Sequence, residues 1–154
     1  MEQDLSSLYH CEIRTWAREV RNDRRLTKPD VTITKTSRTC GSSLTLDLSV
    51  ETDSVVQIGW MARACTLGMA SLAILVDAAP GLTLCEIEQA RLMLRKLLQE
   101  GSASFSQQWN ALALFTAARQ FPGRHESILL PFDAICAAKT QEVEGLSKTW
   151  RRRA

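Results

Sequence analysis

A chain of 154 residues with 45% apolar and 23% charged side chains is sized and composed for one domain around one core. Its formal net charge of +2 gives no electrostatic case for a nucleic-acid partner. No apolar run reaches the length of a membrane span. The first residues, Met1-Glu2-Gln3-Asp4, lack the basic-then-apolar order of a secretory signal, so a cytoplasmic protein is expected. The domain is expected over 1–145, followed by a basic C-terminal tail, 146–154, that ends in Arg151-Arg152-Arg153-Ala154.

Taken in order, Tyr9, Ile13, Trp16 and Val20 recur at helical spacing and predict an amphipathic helix that runs into the basic stretch 21–25. Asp30 opens a strand-like run, 31–34. Residues 44–50 give the clearest strand: Leu44, Leu46, Leu48 and Val50 alternate with Thr45, Asp47 and Ser49. Glu51-Thr52-Asp53-Ser54 reads as a turn, and Val56, Ile58 and Trp60 alternate after it. Three strands so close in sequence predict an antiparallel meander with one apolar and one solvated face.

Helical sequence follows. Residues 64–77 are rich in Ala, Leu and Met and stop near Pro80-Gly81. Ile87, Ala90, Leu94 and Leu98 share one face of a helix that Gly101 ends. A third helix is predicted over 109–119, and a last one from Pro131, because proline is favoured at the first helical position. The order helix, three strands, four helices predicts an α+β fold with its helices packed on one face of a three-stranded antiparallel sheet.

The chemistry-bearing residues are scattered. The five cysteines, Cys11, Cys40, Cys65, Cys85 and Cys136, form no Cys-x-x-Cys pair, and their odd number argues against a disulfide framework. Cys40 precedes Gly41 and feeds the 44–50 strand. Cys65 falls where the third strand gives way to a helix, and free N–H groups at a helix N-terminus stabilise a thiolate. Two antiparallel strands put those two positions at the same end of the sheet. Arg124-His125-Glu126 follows the breaker Pro122-Gly123 and supplies imidazole and carboxylate. Two sulfurs, one nitrogen and one oxygen make a four-coordinate metal set, although by spacing alone a buried thiol and a loop histidine are the commoner explanation of these residues. Cys11, Cys85 and Cys136 are read as structural. Trp16 and Trp60 are read as core. No glycine-rich phosphate loop occurs.

The segment 39–46, Thr-Cys-Gly-Ser-Ser-Leu-Thr-Leu, resembles the Cys-Gly-Asp-x-Leu-x-Leu segment of U-type iron–sulfur cluster assembly scaffolds, the NifU N-terminal, IscU and SufU group. The segment 60–71 is similar to that family's Phe-x-Gly-x-Gly-Cys-Ala-Ile-Ser-x-Ala-Ser, and His125-Glu126-Ser127-Ile128-Leu129 to its His-Cys-x-x-Leu. The resemblance covers roughly 5–140. It implies a scaffold or carrier and not an enzyme, with a sulfurtransferase-like role as a variant of the same theme. It implies a labile Fe–S cluster as cargo, a cysteine desulfurase as sulfur donor and recipient apoproteins as partners. Carried across, Cys40, Cys65 and His125 are the implied ligands and Cys40 and Cys65 the implied sulfur acceptors. Glu126 stands where the family has its third cysteine, and Ser42 where it has an aspartate; Ser42 and Arg124 are expected beside the ligands. Ala62 and Ala64 replace two glycines before Cys65, and Phe121-Pro122-Gly123-Arg124 replaces the chaperone-recognition segment. Carboxylate is a harder ligand than thiolate, so the alternatives to a cluster scaffold are a zinc-bound acceptor of sulfur from the desulfurase and a binding protein that keeps the fold without cluster chemistry.

Overall fold

The computed structural model describes residues 10–38 and 41–141. Helix α1 spans Cys11–Arg18. Three strands follow, β1 Val31–Thr36, β2 Ser43–Glu51 and β3 Ser54–Arg63. Helices α2 Thr66–Ala78 and α3 Leu84–Glu100 lead to a long 3-10 segment, Gln107–Gln120, a short 3-10 turn, Pro122–Arg124, and α4, His125–Gln141. The fold is α+β, as the pattern of the sequence predicts.

The strands form one antiparallel sheet in the order β1-β2-β3. The β2–β3 turn places Thr52 and Asp53 at positive φ, 49° and 66°, the backbone that a two-residue hairpin loop requires. Val31 pairs with Leu48 and Ile33 with Leu46, and Leu46 in turn pairs with Trp60. This apolar face joins one core with Ile128, Phe132 and Ile135 of α4 and with Leu67, Ile74, Ile87, Leu94 and Phe115. Helix α3 is conventionally bounded. Thr83 and Glu86 form a reciprocal capping box at α3, and Gly101 closes that helix in the left-handed conformation at φ 88°.

The second face of the sheet departs from expectation, because it is covered. Arg24 bonds Trp60 through both backbone groups, at 2.8 Å each, and so extends the sheet past β3. The chain then crosses the polar face. Arg25 Nε donates to Asp47 Oδ2 at 2.7 Å, and the Leu26 N–H to the same oxygen at 3.0 Å. Asp47 is completely buried although it lies on the face that the alternation marks as solvated. A strap of irregular chain carries no periodic signal, so the strand pattern alone does not reveal it. Gly59 opposite Asp47 makes room: a Cβ there would stand 2.6 Å from the Arg24 carbonyl oxygen and 2.7 Å from the Leu26 nitrogen.

The last helix begins at His125 and not at Pro131, which sits inside it. Pro131 gives no N–H to the Ser127 carbonyl four residues back. Beside the orphaned carbonyl, Ser71 Oγ of α2 donates to the Ile128 carbonyl at 2.6 Å and ties the two helices together. The helix expected over 109–119 is 3-10 in geometry and longer, though its inward residues Trp109, Leu112, Phe115 and Ala118 are buried. Trp60 is buried, as expected, with its indole N–H shared between the Val20 and Asn22 carbonyls at 3.2 and 3.0 Å. Trp16 is half-buried. Tyr9 and the tail 146–154 lie outside the described residues.

Candidate functional site

Three segments meet at one end of the sheet. The first is the β1–β2 loop. Thr36 pairs with Ser43, and beyond that pair the Ser37 N–H donates to the Ser42 carbonyl at 2.7 Å and the Gly41 N–H to the Ser37 carbonyl at 2.9 Å. Gly41 takes φ 73°, which glycine adopts without strain. Ser42 is buried and helps close the loop through its carbonyl. Cys40 lies outside the described residues, and the loop ends on either side of it are fixed by these bonds.

The second segment is the β3–α2 junction. Ser43 pairs with Arg63, so the start of β2 lies beside the chain two residues before Cys65. Cys65 is the N-cap residue of α2, with φ −69° and ψ 168°, and its side chain makes no capping bond. Its half-buried Sγ stands 3.1 Å from Ser127 Oγ. Ala62 falls within β3, and neither it nor Ala64 takes the positive φ that the family's glycines would favour.

The third segment is the start of α4. His125, Glu126 and Ser127 follow the turn Pro122–Arg124, in which the Arg124 N–H donates to the Phe121 carbonyl at 2.9 Å. The His125 ring is half-buried, with Nε2 2.8 Å from the Ala118 carbonyl oxygen. A carbonyl only accepts, so Nε2 carries the hydrogen, and Nδ1 holds the lone pair of the neutral ring. That is the arrangement in which a histidine presents one nitrogen to a metal while a backbone carbonyl fixes the other. Glu126 Oε1 accepts from Ser37 Oγ at 2.5 Å and ties α4 to the β1–β2 loop. Gly68, one turn into α2, lets the two helix starts approach: a Cβ there would stand 2.8 Å from Ser127 Oγ.

The sequence-predicted residues are therefore brought together in part. Two direct side-chain contacts, Cys65 with Ser127 and Ser37 with Glu126, join α2 and the β1–β2 loop to the start of α4. Among the described residues, no three of His, Cys, Asp and Glu gather closely enough to hold a metal ion, so Cys65, His125 and Glu126 do not form such a group without Cys40. Sequence reasoning missed Ser37 and Ser127. Ser127 follows Glu126 directly, and only the helical start at His125 turns it toward Cys65. The remaining thiols stand apart. Cys11 and Cys85 are exposed, contrary to the burial expected of structural cysteines, and Cys136 is half-buried farther along α4.

Helix α1, the antiparallel β1-β2-β3 meander and the helices that follow it make up the α+β fold of U-type iron–sulfur cluster assembly scaffolds. Two solved structures make the likeness particular. The chain is similar to a nitrogen-fixing NifU-like protein (N-terminal) from Brucella abortus, at 28% identity and a TM-score of 0.85, over 92% of this chain and 98% of that one. It is also similar to a putative iron–sulfur cluster assembly scaffold protein for the SUF system from Fervidobacterium islandicum, at 16% identity and a TM-score of 0.76, over 86% and 96% of the two chains. No family model and no curated relative matches the sequence. No helix among the described residues is long and apolar enough to cross a membrane.

Proposed function

We propose that the protein is a divergent iron–sulfur cluster assembly scaffold that holds a transient cluster, or its iron and sulfur precursors, on Cys40, Cys65 and His125. The observation that carries this reading is the convergence of the β1–β2 loop, the Cys65 N-cap and the His125 start of α4 at one end of the sheet. The likeness in fold to the NifU-like and SUF-system proteins supports it. In this reading Cys65 supplies a thiolate beside the free N–H groups of α2. His125 supplies Nδ1, a nitrogen donor of the kind that replaces thiolate in some iron–sulfur centres. Glu126 stands in the fourth position but is bonded to Ser37, and a carboxylate is a poor match for sulfide-bridged iron. The cluster is cargo and is held weakly, which suits handover to an apoprotein. Sulfur arrives from a cysteine desulfurase.

The test is anaerobic reconstitution of the full chain with ferric iron, a thiol reductant and sulfide, read by visible absorption and Mössbauer spectra. A cluster is expected in the native chain, with loss in Cys40→Ser and Cys65→Ser and a shortened lifetime in His125→Ala. A native chain that assembles no cluster under these conditions overturns the reading.

A further inference from the structure

Arg14, Arg18 and Arg21 follow one another at intervals of four and three along and just beyond α1, and all three are exposed. With Ala17 they line an open groove of about 330 Å³ whose other lining is Ala64, Thr66 and Met69. Ala64 and Thr66 are the chain neighbours of Cys65, so the groove borders the stretch of backbone that carries Cys65, whose Sγ itself faces Ser127 of α4. None of the three arginines joins an ion pair among the described residues, whose ion pairs are Arg25–Asp47, Arg63–Asp23 and Arg91–Asp133. The nearby acidic residues are sorted away from them: Glu12 of α1 and its C-cap Glu19 line a different depression with Thr15 and Trp16. Like charges four residues apart repel one another on a helix. An occupant of opposite charge would relieve that repulsion.

We infer that this groove docks an acidic segment of a partner protein, placing the partner against Cys65. The inference rests on the scaffold reading for what that partner then does. A single anion fills one guanidinium fork. The helix rise sets Arg14 and Arg18 about 6 Å apart along the axis, and Arg21 extends the row, so the complementary ligand carries several carboxylates in series. Arginine, with its planar pair of donors, is suited to carboxylate recognition of this kind.

The test uses the full chain and fluorescein-labelled hexaglutamate, followed by anisotropy at low salt. Binding is expected to weaken at least tenfold in an Arg14→Gln, Arg18→Gln, Arg21→Gln variant and to be unchanged in Arg119→Gln, an exposed arginine elsewhere. Equal binding by the triple variant overturns the inference. A second measurement needs no variant: hexaglutamate should slow alkylation of Cys65, mapped by peptide mass spectrometry, and leave exposed Cys85 unaffected. Unchanged Cys65 labelling counts against the groove, and displacement by an equal concentration of inorganic phosphate overturns the acidic-segment assignment in favour of a single-anion site. Reconstitution with iron and sulfide needs no protein partner, so it reports on the scaffold reading separately.

Discussion

Cys65 Sγ lies 3.1 Å from Ser127 Oγ, which couples the N-cap of α2 to the first turn of α4. Gly68 makes the contact sterically feasible, since a Cβ at that position would come within 2.8 Å of the same oxygen and 3.2 Å of the Ser127 carbonyl. Gly68→Ala is therefore expected to turn the Ser127 hydroxyl away from Cys65 and to spread the helix starts. Helix propensity favours the alanine by up to about 1 kcal/mol, whereas overpacking costs about 1–3 kcal/mol, so a net loss of roughly 1 kcal/mol is expected in denaturant unfolding. Adding Ser127→Ala should restore part of it. A double variant no more stable than Gly68→Ala alone would show that the backbone, and not the hydroxyl, sets the limit.

Gly59 is a more severe case, because the atoms a side chain would meet are backbone: the Arg24 carbonyl oxygen at 2.6 Å and the Leu26 nitrogen at 2.7 Å. Neither can move without lifting the strap off Asp47. Gly59→Ala is expected to cost about 3 kcal/mol and to raise amide exchange at Arg24 and Leu26 ahead of the strand core. Exchange that rises uniformly across the sheet would mean that the strap is not the part displaced.

The Asp47 relationship also marks where the sequence was legible. Period-two alternation in β2 and the apolar spacing in α3 report burial directly, and both elements stand where they were expected. Alternation classes Asp47 as solvent-facing, however, because the pattern carries hydropathy and not the path of a non-periodic strap. At the site, the position of Cys65 at a helix N-terminus was readable from the strand-to-helix change. The contacts of Ser127 and Ser37 were not. They depend on α4 starting at His125, and Pro131, which favours a helix start, pointed to a later one. The exposure of Cys11 and Cys85 was equally illegible, since a cysteine's usual burial says nothing of the face on which it falls.

Asp47 makes stability depend on acid. Burial pushes its carboxyl up, but hydrogen bonds from Arg25, Thr32 and the Leu26 N–H, with the Arg25 charge, more than offset this and hold it below the usual aspartate value of 3.8. A folded pKa below the unfolded one means that the unfolded chain binds the proton more readily. The contribution is then complete above about pH 4 and is lost as the pH falls through the lower folded value. Asp47→Asn is expected to cost roughly 2–4 kcal/mol at neutral pH, since the Arg25 guanidinium loses its partner and the buried donors are imperfectly matched. Its stability should fall less steeply between pH 4 and pH 2 than that of the native chain. Parallel acid limbs, measured by urea unfolding at each pH, would show that other carboxylates dominate there.

Glu126 is the position at which the ligand question can be decided by substitution. Its carboxylate is bonded to Ser37 and so stands against the loop that carries Cys40. Glu126→Cys removes that bond, at a cost of about 1–2 kcal/mol, and puts a soft thiolate at the same place on α4. Thiolates hold iron–sulfur clusters more firmly than carboxylates do, so the reconstituted variant should lose its cluster several-fold more slowly to a chelator, followed as decay of visible absorption. Ser37→Ala supplies the control: it frees the Glu126 carboxylate without adding sulfur. If both variants lengthen the lifetime equally, release of Glu126 from Ser37 is the active change. If neither does, Glu126 is not among the cluster's ligands.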